Sequence, residues 1–382
     1  MYHYTRIQGF MGILNQQKFW ATDYRYLNDE DEFVYVHNIL VKVIKEEFGI
    51  PCADERRRPV VNSSEKAKRI DGLMKHLRDD CGININGSKE KLQLTQYGYY
   101  HGFKGYRFYK QRSNTIPYTD FSQIVAIIEY DNALKKLVYP ALMFIEMAVK
   151  NFTLEQIVPG MKDKSIDSIY KTKMNDELSN SDLRLKRLKL RDKLHSTLST
   201  SYKNRNSMVS HFYNRGQEIP IWGIFEIMML GDFADFLLCL NKDVREKISK
   251  SLDISESYDT NYQLLPNALF TVKALRNATA HNNIAFDARF KDRNANKNVI
   301  KWVENETGIA NVTFDYFSDY IALILCLLKH VNYPKRMLVK FLKEYEECIN
   351  ELYSSLPLPI YNKIVATGIQ GKIAKLNAFV KK

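Results

Sequence analysis

Residues 121–158 read FSQIVAIIEYDNALKKLVYPALMFIEMAVKNFTLEQIV, and no other stretch limits the possible folds so strongly. Ile124, Ile127, Ile128, Leu134, Leu137 and Val138 recur at steps of three and four, and so do Leu142, Ile145, Met147, Ala148 and Phe152. That period is helical, because side chains three or four apart share one face of a helix. Pro140 cannot donate a backbone hydrogen bond, so the spacing predicts a long helix that Pro140 kinks or divides.

The same patterning predicts helices over 7–18 and 29–48, and an amphipathic helix opening at Ser63 with Ile70, Leu73, Met74 and Leu77 on one face. Residues 79–88 read as a loop and 159–182 as an exposed polar connection. Residues 219–240 fit two helices joined near Gly231-Asp232, with Asp232 as N-cap of the second and Trp222 in the core. Further helices are expected around 244–252, 264–281, 314–330, 334–352 and 371–379. No alternating strand hairpin, internal repeat or low-complexity segment is evident. The chain has 382 residues, 45% of them hydrophobic, with only 16 Gly and 10 Pro. That is apolar enough for a substantial core and suits helices better than a glycine-rich sheet. The fold class is all-α. Residues 1–48 form an N-terminal helical extension, 49–62 (two prolines and a charge run) a linker, and 63–382 the main helical domain.

Lys and Arg number 56 against 44 Asp and Glu, a formal charge of +12. A surplus of that sign favours polyanions such as RNA, DNA or acidic lipid. It is densest at 184–193, RLKRLKLRDK, where Arg184, Lys186, Arg187, Lys189, Arg191 and Lys193 surround Leu185, Leu188 and Leu194. Such a stretch either touches nucleic acid or is a solvated helix face, which is the commoner case. The five cysteines, at 52, 81, 239, 326 and 348, form no CxxC pair. A reduced cytosolic setting without a zinc site follows, with Cys239 and Cys326 as core thiols. No basic segment followed by an apolar one opens the chain, and the apolar run 320–328 is too short to cross a bilayer. The expectation is a cytoplasmic protein with no membrane partner, no metal and no cofactor.

Chemistry concentrates at 269–283, LFTVKALRNATAHNN. Leu269, Val272 and Leu275 mark an apolar face that carries Arg276, Asn277 and His281 to the end of a helix. Asn277 and His281 are i and i+4 and share a face, while Arg276 lies about 140° round from His281. A histidine can exchange a proton with a 2′-hydroxyl or a leaving 5′-oxygen. An arginine fork can hold the scissile phosphate, and Asn277 can orient either partner. The plain alternative is a polar helix end facing water. The R-x4–6-H spacing is unspecific by itself: Arg69 with His76 and Arg205 with His211 satisfy it too.

The surrounding chain decides between them. It resembles the abortive-infection bacteriophage-resistance family, the AbiD/AbiF-like branch of the HEPN ribonuclease group. The similarity runs in order through LMKHLRDDCGININ, QYGYYHGFKGYRFYK, EYDNALKKLVYPALMFIEMAVKN, IPIWGIFEIMMLGDFADF, ALRNATAHNN and LPIYNKIVATGIQGKIAKL, covering 63–382. The resemblance implies a HEPN-type helical bundle with added N- and C-terminal helices, and maps the catalytic pair onto Arg276 and His281. It further implies a homodimer and metal-independent RNA cleavage leaving 2′,3′-cyclic phosphate ends. An anti-phage toxin of that kind would be held inactive by a structured RNA or a protein antitoxin. A non-catalytic HEPN RNA-binding module, serving as antitoxin or sensor, is the alternative. A DNA-binding regulator is disfavoured, since no compact helix-turn-helix with a basic recognition helix is present.

Glu146 and Lys150, also i and i+4, match a family pattern of acid followed by base. They read as a helix salt bridge or as support for the active site. Tyr99, Tyr100, Tyr106, Phe108 and Tyr109, interleaved with His101, Lys104, Arg107 and Lys110, suit either core packing or base stacking, with Lys104 and Arg107 as candidate phosphate contacts. Residues 1–48 resemble the opening of a separate bacterial family sometimes likened to ADP-ribosyltransferases. The segment is too short for that catalytic fold and is assigned no enzyme role.

Overall fold

The computed structural model describes residues 68–161 and 163–382. The extension, the linker and the helix start at Ser63 lie outside the described residues. The chain divides into two compact units, Met1–Gly105 and Tyr106–Lys382. All fifteen described α-helices belong to an all-α fold with no strand among the described residues.

In the first unit, α1 (Ile70–Asp79) buries Met74 and Leu77 and leaves Ile70 and Leu73 half-buried. After it come α2 (Ser88–Tyr97) and a π-helical turn at Gly98–Lys104.

The second unit is built on α3, Phe121–Ile157. Its N-terminus is a capping box: Asp120 accepts from the Ser122 N–H at 2.9 Å, and Gln123 reaches back to the Thr119 and Asp120 N–H groups. The helix runs through Pro140 without dividing. Pro140 and Lys136, whose carbonyl loses its donor, both lie on the exposed side, where water can serve that carbonyl.

Next come α4 (Ile166–Thr172), α5 (Ser181–Lys203), α6 (Ser207–Tyr213), α7 (Ile221–Ile227) and α8 (Leu230–Cys239). Then follow α9 (Lys242–Ser251), α10 (Leu264–Ala280) and α11 (Lys297–Thr307). The chain closes with α12 (Phe317–His330), α13 (Lys335–Ser355), α14 (Leu358–Ile364) and α15 (Ile369–Lys381). Helices α9, α10, α12 and α13 pack on α3. In α12 every residue from Phe317 to Leu328 is buried, the pattern of a helix enclosed on all sides.

Several local expectations need correction. The segment 159–182 is not merely an exposed connection, because it forms α4 and buries Ser168, Ile169 and Met174. The α7–α8 joint falls at Met228-Met229, so Asp232 is not an N-cap. It sits buried in the first turn of α8, where an acid suits the helix dipole, and pairs with Lys193. Trp222 is 49% exposed, since Ile221, Ile224 and Phe225 set the buried side of α7 and Trp222 falls outside it. On α5 the buried stripe is Arg187, Leu190, Leu194 and Leu198, which leaves Leu185 and Leu188 exposed.

Candidate active site

Helix α10 buries Leu264, Leu265, Ala268, Leu269, Val272, Leu275 and Ala278 against its neighbours, which fixes the direction of its polar residues. It ends in a Schellman motif. The Asn283 N–H donates to the Ala278 carbonyl at 2.8 Å and the Asn282 N–H to Thr279 at 3.3 Å, with Asn282 left-handed at φ 54°. His281 is therefore the C-cap, its own N–H donating to the Asn277 carbonyl at 3.0 Å. Its imidazole is exposed and takes no side-chain partner among the described residues.

Arg276 faces α3. Its Nε stands 3.3 Å from Glu146 Oε2, while Glu146 Oε1 accepts from Lys150 Nζ at 3.0 Å. Lys150 also donates to the Met228 carbonyl at 2.7 Å, tying α3 to the α7–α8 joint. The Arg276–Glu146 contact is within ion-pair distance but off the hydrogen-bond axis, and neither Nε nor Oε2 has a directed partner. The attraction there is Coulombic rather than a formed hydrogen bond. Nη1 of Arg276 lies 3.4 Å from Asn277 Oδ1, a weak contact. Asn277 is thus turned toward Arg276, and no Asn277–His281 side-chain bond forms among the described residues. The helix salt bridge expected for Glu146 and Lys150 is present, and its Glu146 end also meets Arg276.

A second acid–base pair on α3 was not singled out from the sequence. Asp131, fully buried, accepts from the Ala285 and Phe286 N–H groups at 2.8 and 2.6 Å and from Tyr106 Oη at 2.7 Å. It also pairs with Lys135 at 3.0 Å, and Lys135 donates to Asn282 Oδ1 at 2.7 Å. The backbone just past His281 is therefore held to α3. Just beyond it, buried Asp287 pairs with Arg289 at 2.7 Å and takes the Lys110 N–H at 2.6 Å. The signal for Asp131 and Lys135 was present: an acid and a base four apart inside an apolar helix.

Other candidates fall elsewhere. Arg69 is the N-cap of α1, and His76 bonds Asp80 at 2.5 Å; Arg205 is a turn residue, and His211 contacts Arg215 at 3.1 Å. Arg187 does not face a ligand. It is buried, with Nε on the Cys239 carbonyl at 3.0 Å and Nη1 and Nη2 on Asp176, each at 2.7 Å. Arg191 is exposed but pairs with Asp167 at 2.8 Å, whereas Arg184, Lys186, Lys189 and Arg107 are exposed. Lys104 Nζ rests 5.2 Å from the Tyr100 ring and 5.6 Å from that of Tyr99. Of the two uses open to this aromatic cluster, core packing holds for Tyr106 and Tyr109, which are buried, and not for Tyr100, which is exposed.

Among the described residues, no group of three His, Cys, Asp or Glu side chains could hold a metal ion. Burial pushes the Cys239 thiol up to about 11 and raises that of Cys326 well above its ordinary value. One described helix, α3, is long and apolar enough to cross a membrane. The buried pairs Asp131–Lys135 and Glu146–Lys150, each bonded to other helices or loops, identify it as the core helix of the bundle.

A family model described as Abi-like protein matches residues 92–287, which contain α3, both of its acid–base pairs and the Arg276–His281 segment. No curated protein and no solved structure gives a match.

Proposed function

The chain belongs to the Abi-like protein family, an abortive-infection family, and from that premise we propose that it is a metal-independent endoribonuclease of the HEPN type. The observation that carries the reading is an exposed histidine, without a side-chain partner among the described residues, at the same helix end as an arginine backed by Glu146. In the proposed reaction His281 takes the proton from a 2′-hydroxyl as the 2′-oxygen attacks the adjacent phosphorus. The P–O5′ bond breaks, the 5′-oxygen gains a proton, and the products carry a 2′,3′-cyclic phosphate and a 5′-hydroxyl. Arg276 offers its outer nitrogens to the phosphate oxygens, where charge grows in the transition state. Asn277, close to the guanidinium, orients that fork.

Base and acid must act at opposite ends of the broken bond, and one His281 cannot be both at once. A homodimer that brings two copies of the motif together supplies the second group. In the cell the enzyme acts as an abortive-infection toxin in the cytoplasm, restrained until infection by a structured RNA or protein antitoxin.

The test is induced expression of wild type, His281→Ala and Arg276→Ala, with RNA ends mapped, followed by purified protein on RNA in EDTA. Cyclic-phosphate ends from wild type alone support the reading. Equal cutting by His281→Ala refutes it. RNA binding without cutting by wild type favours the non-catalytic module.

A further inference from the structure

Lys186, Lys189 and Lys193 lie on one flank of α5, about one helical turn apart, beside its buried stripe. Lys193 reaches Asp232 at the start of α8. Burial holds the carboxyl of Asp235, one turn further along α8, above its ordinary range, and Lys193, Arg293 and Lys186 offset this only in part. Where α8 meets α10, the stem of Lys273 lies across Gly231: a Cβ there would stand 3.0 Å from Lys273 Cδ. Lys273 is three residues before Arg276 and reaches Asp292 only at 3.9 Å. The Arg293 guanidinium sits 4.2 Å from the Phe270 ring centre, one turn before Lys273. The cations thus continue from the Arg276 end of α10, past Gly231, to α5.

We propose that Lys273, Arg293, Lys193, Lys189 and Lys186 form a binding track for an RNA strand that leads away from Arg276 and His281. The proposal takes its ligand from the ribonuclease reading. Two features argue for it: charge complementarity and continuity with the proposed scissile phosphate. The five cations outnumber Asp232, Asp235 and Asp292, of which Asp232 pairs with Lys193 and Asp292 lies 3.9 Å from Lys273, so the row is not neutralised. A strand with a charge on every nucleotide meets successive lysines spaced a helical turn apart. Glycine at 231 keeps α8 from pushing Lys273 off the path.

The test measures binding of a 2′-O-methyl RNA oligonucleotide, which lacks the attacking hydroxyl, by fluorescence anisotropy at several salt concentrations. Lys186→Glu/Lys189→Glu is compared with Lys340→Glu/Lys343→Glu on α13, which changes net charge equally. The α5 variant is expected to weaken binding about tenfold or more and to lower the slope of log K against log salt by about 1–1.5, since each single-strand phosphate contact contributes about 0.7. The α13 variant should bind as wild type does. Equal losses in both variants, unchanged affinity and slope in the α5 variant, or no RNA binding by wild type each overturn the track. So does preference for polyglutamate over the RNA, which would point to an acidic protein partner. Cleavage is scored separately on unmodified RNA: α5-dependent binding without cutting refutes the ribonuclease reading and leaves the track standing.

Discussion

Replacing Glu146 by Gln asks whether this buried acid positions Arg276 or only neutralises Lys150. Glu146 is 6% exposed and serves Lys150 Nζ at 3.0 Å and Arg276 Nε at 3.3 Å. Deleting one partner of a buried ion pair costs roughly 3–5 kcal/mol, because the remaining charge is left uncompensated. The Arg276 side chain is 24% exposed and Lys150 keeps the Met228 carbonyl, so about 2–3 kcal/mol is expected here. That lowers Tm by roughly 4–12 °C for a unit of this size. Freed from Glu146, the guanidinium is expected to swing away from the proposed phosphate position, and misplacement by about 1 Å costs on the order of 10²-fold in rate. The second variant, Glu146→Gln/Lys150→Met, removes both charges of the α3 pair. It should recover most of the lost Tm in differential scanning fluorimetry and none of the single-turnover cleavage rate. If cleavage returns together with Tm, Glu146 is only a counterion for Lys150 and the positioning argument is wrong.

Asp131→Asn puts an amide donor where the carboxylate accepts from Tyr106, Ala285 and Phe286, and leaves Lys135 without its counterion. A loss of roughly 3 kcal/mol is expected in urea unfolding, and one under about 1 kcal/mol would show that the anchor contributes little. Burial pushes the Cys239 and Cys348 thiols up to about 11 and Cys326 well above its ordinary value. A raised thiol pKa keeps the proton on sulfur, so the reactive thiolate is scarce in all three below that range. Iodoacetamide at about pH 8 should label exposed Cys81 well ahead of them, as read by peptide mass spectrometry. Early labelling of Cys239 or Cys326 in folded protein would contradict their burial.

The period of apolar residues was enough to place α3, α10, α12 and α13, where long runs leave one packing solution. Short elements escaped for different reasons. α4 and α6 have seven residues each, too few for a period to stand out. α11 was legible and overlooked: Val299, Trp302, Val303 and Thr307 fall on one face. On α5 the charges misled, because a guanidinium can be buried when carbonyls and a carboxylate surround it, and the sequence near Arg187 does not display Cys239 or Asp176 as those partners. At the candidate site, Arg276, Asn277 and His281 were visible as a motif. Glu146 was visible too, as the acid four residues before Lys150, but its contact with Arg276 was not, and Asp131 was missed because only folding brings it to the backbone past His281.

The two acids of α3 also account for where the histidine sits. Asp131 and Glu146 are fifteen residues apart on one helix, about 22 Å at 1.5 Å per residue. Glu146 meets Arg276 one turn before the end of α10, and Asp131 takes the Ala285 and Phe286 N–H groups just after it, so α3 grips the segment on both sides of the helix end. Asn282, able to adopt φ 54°, makes the stop, and His281 is left at the break with α3 holding the chain on both sides. The backbone under His281 is held in this way, so only the torsions of its exposed side chain remain to be fixed in the proposed proton transfer at a 2′-hydroxyl.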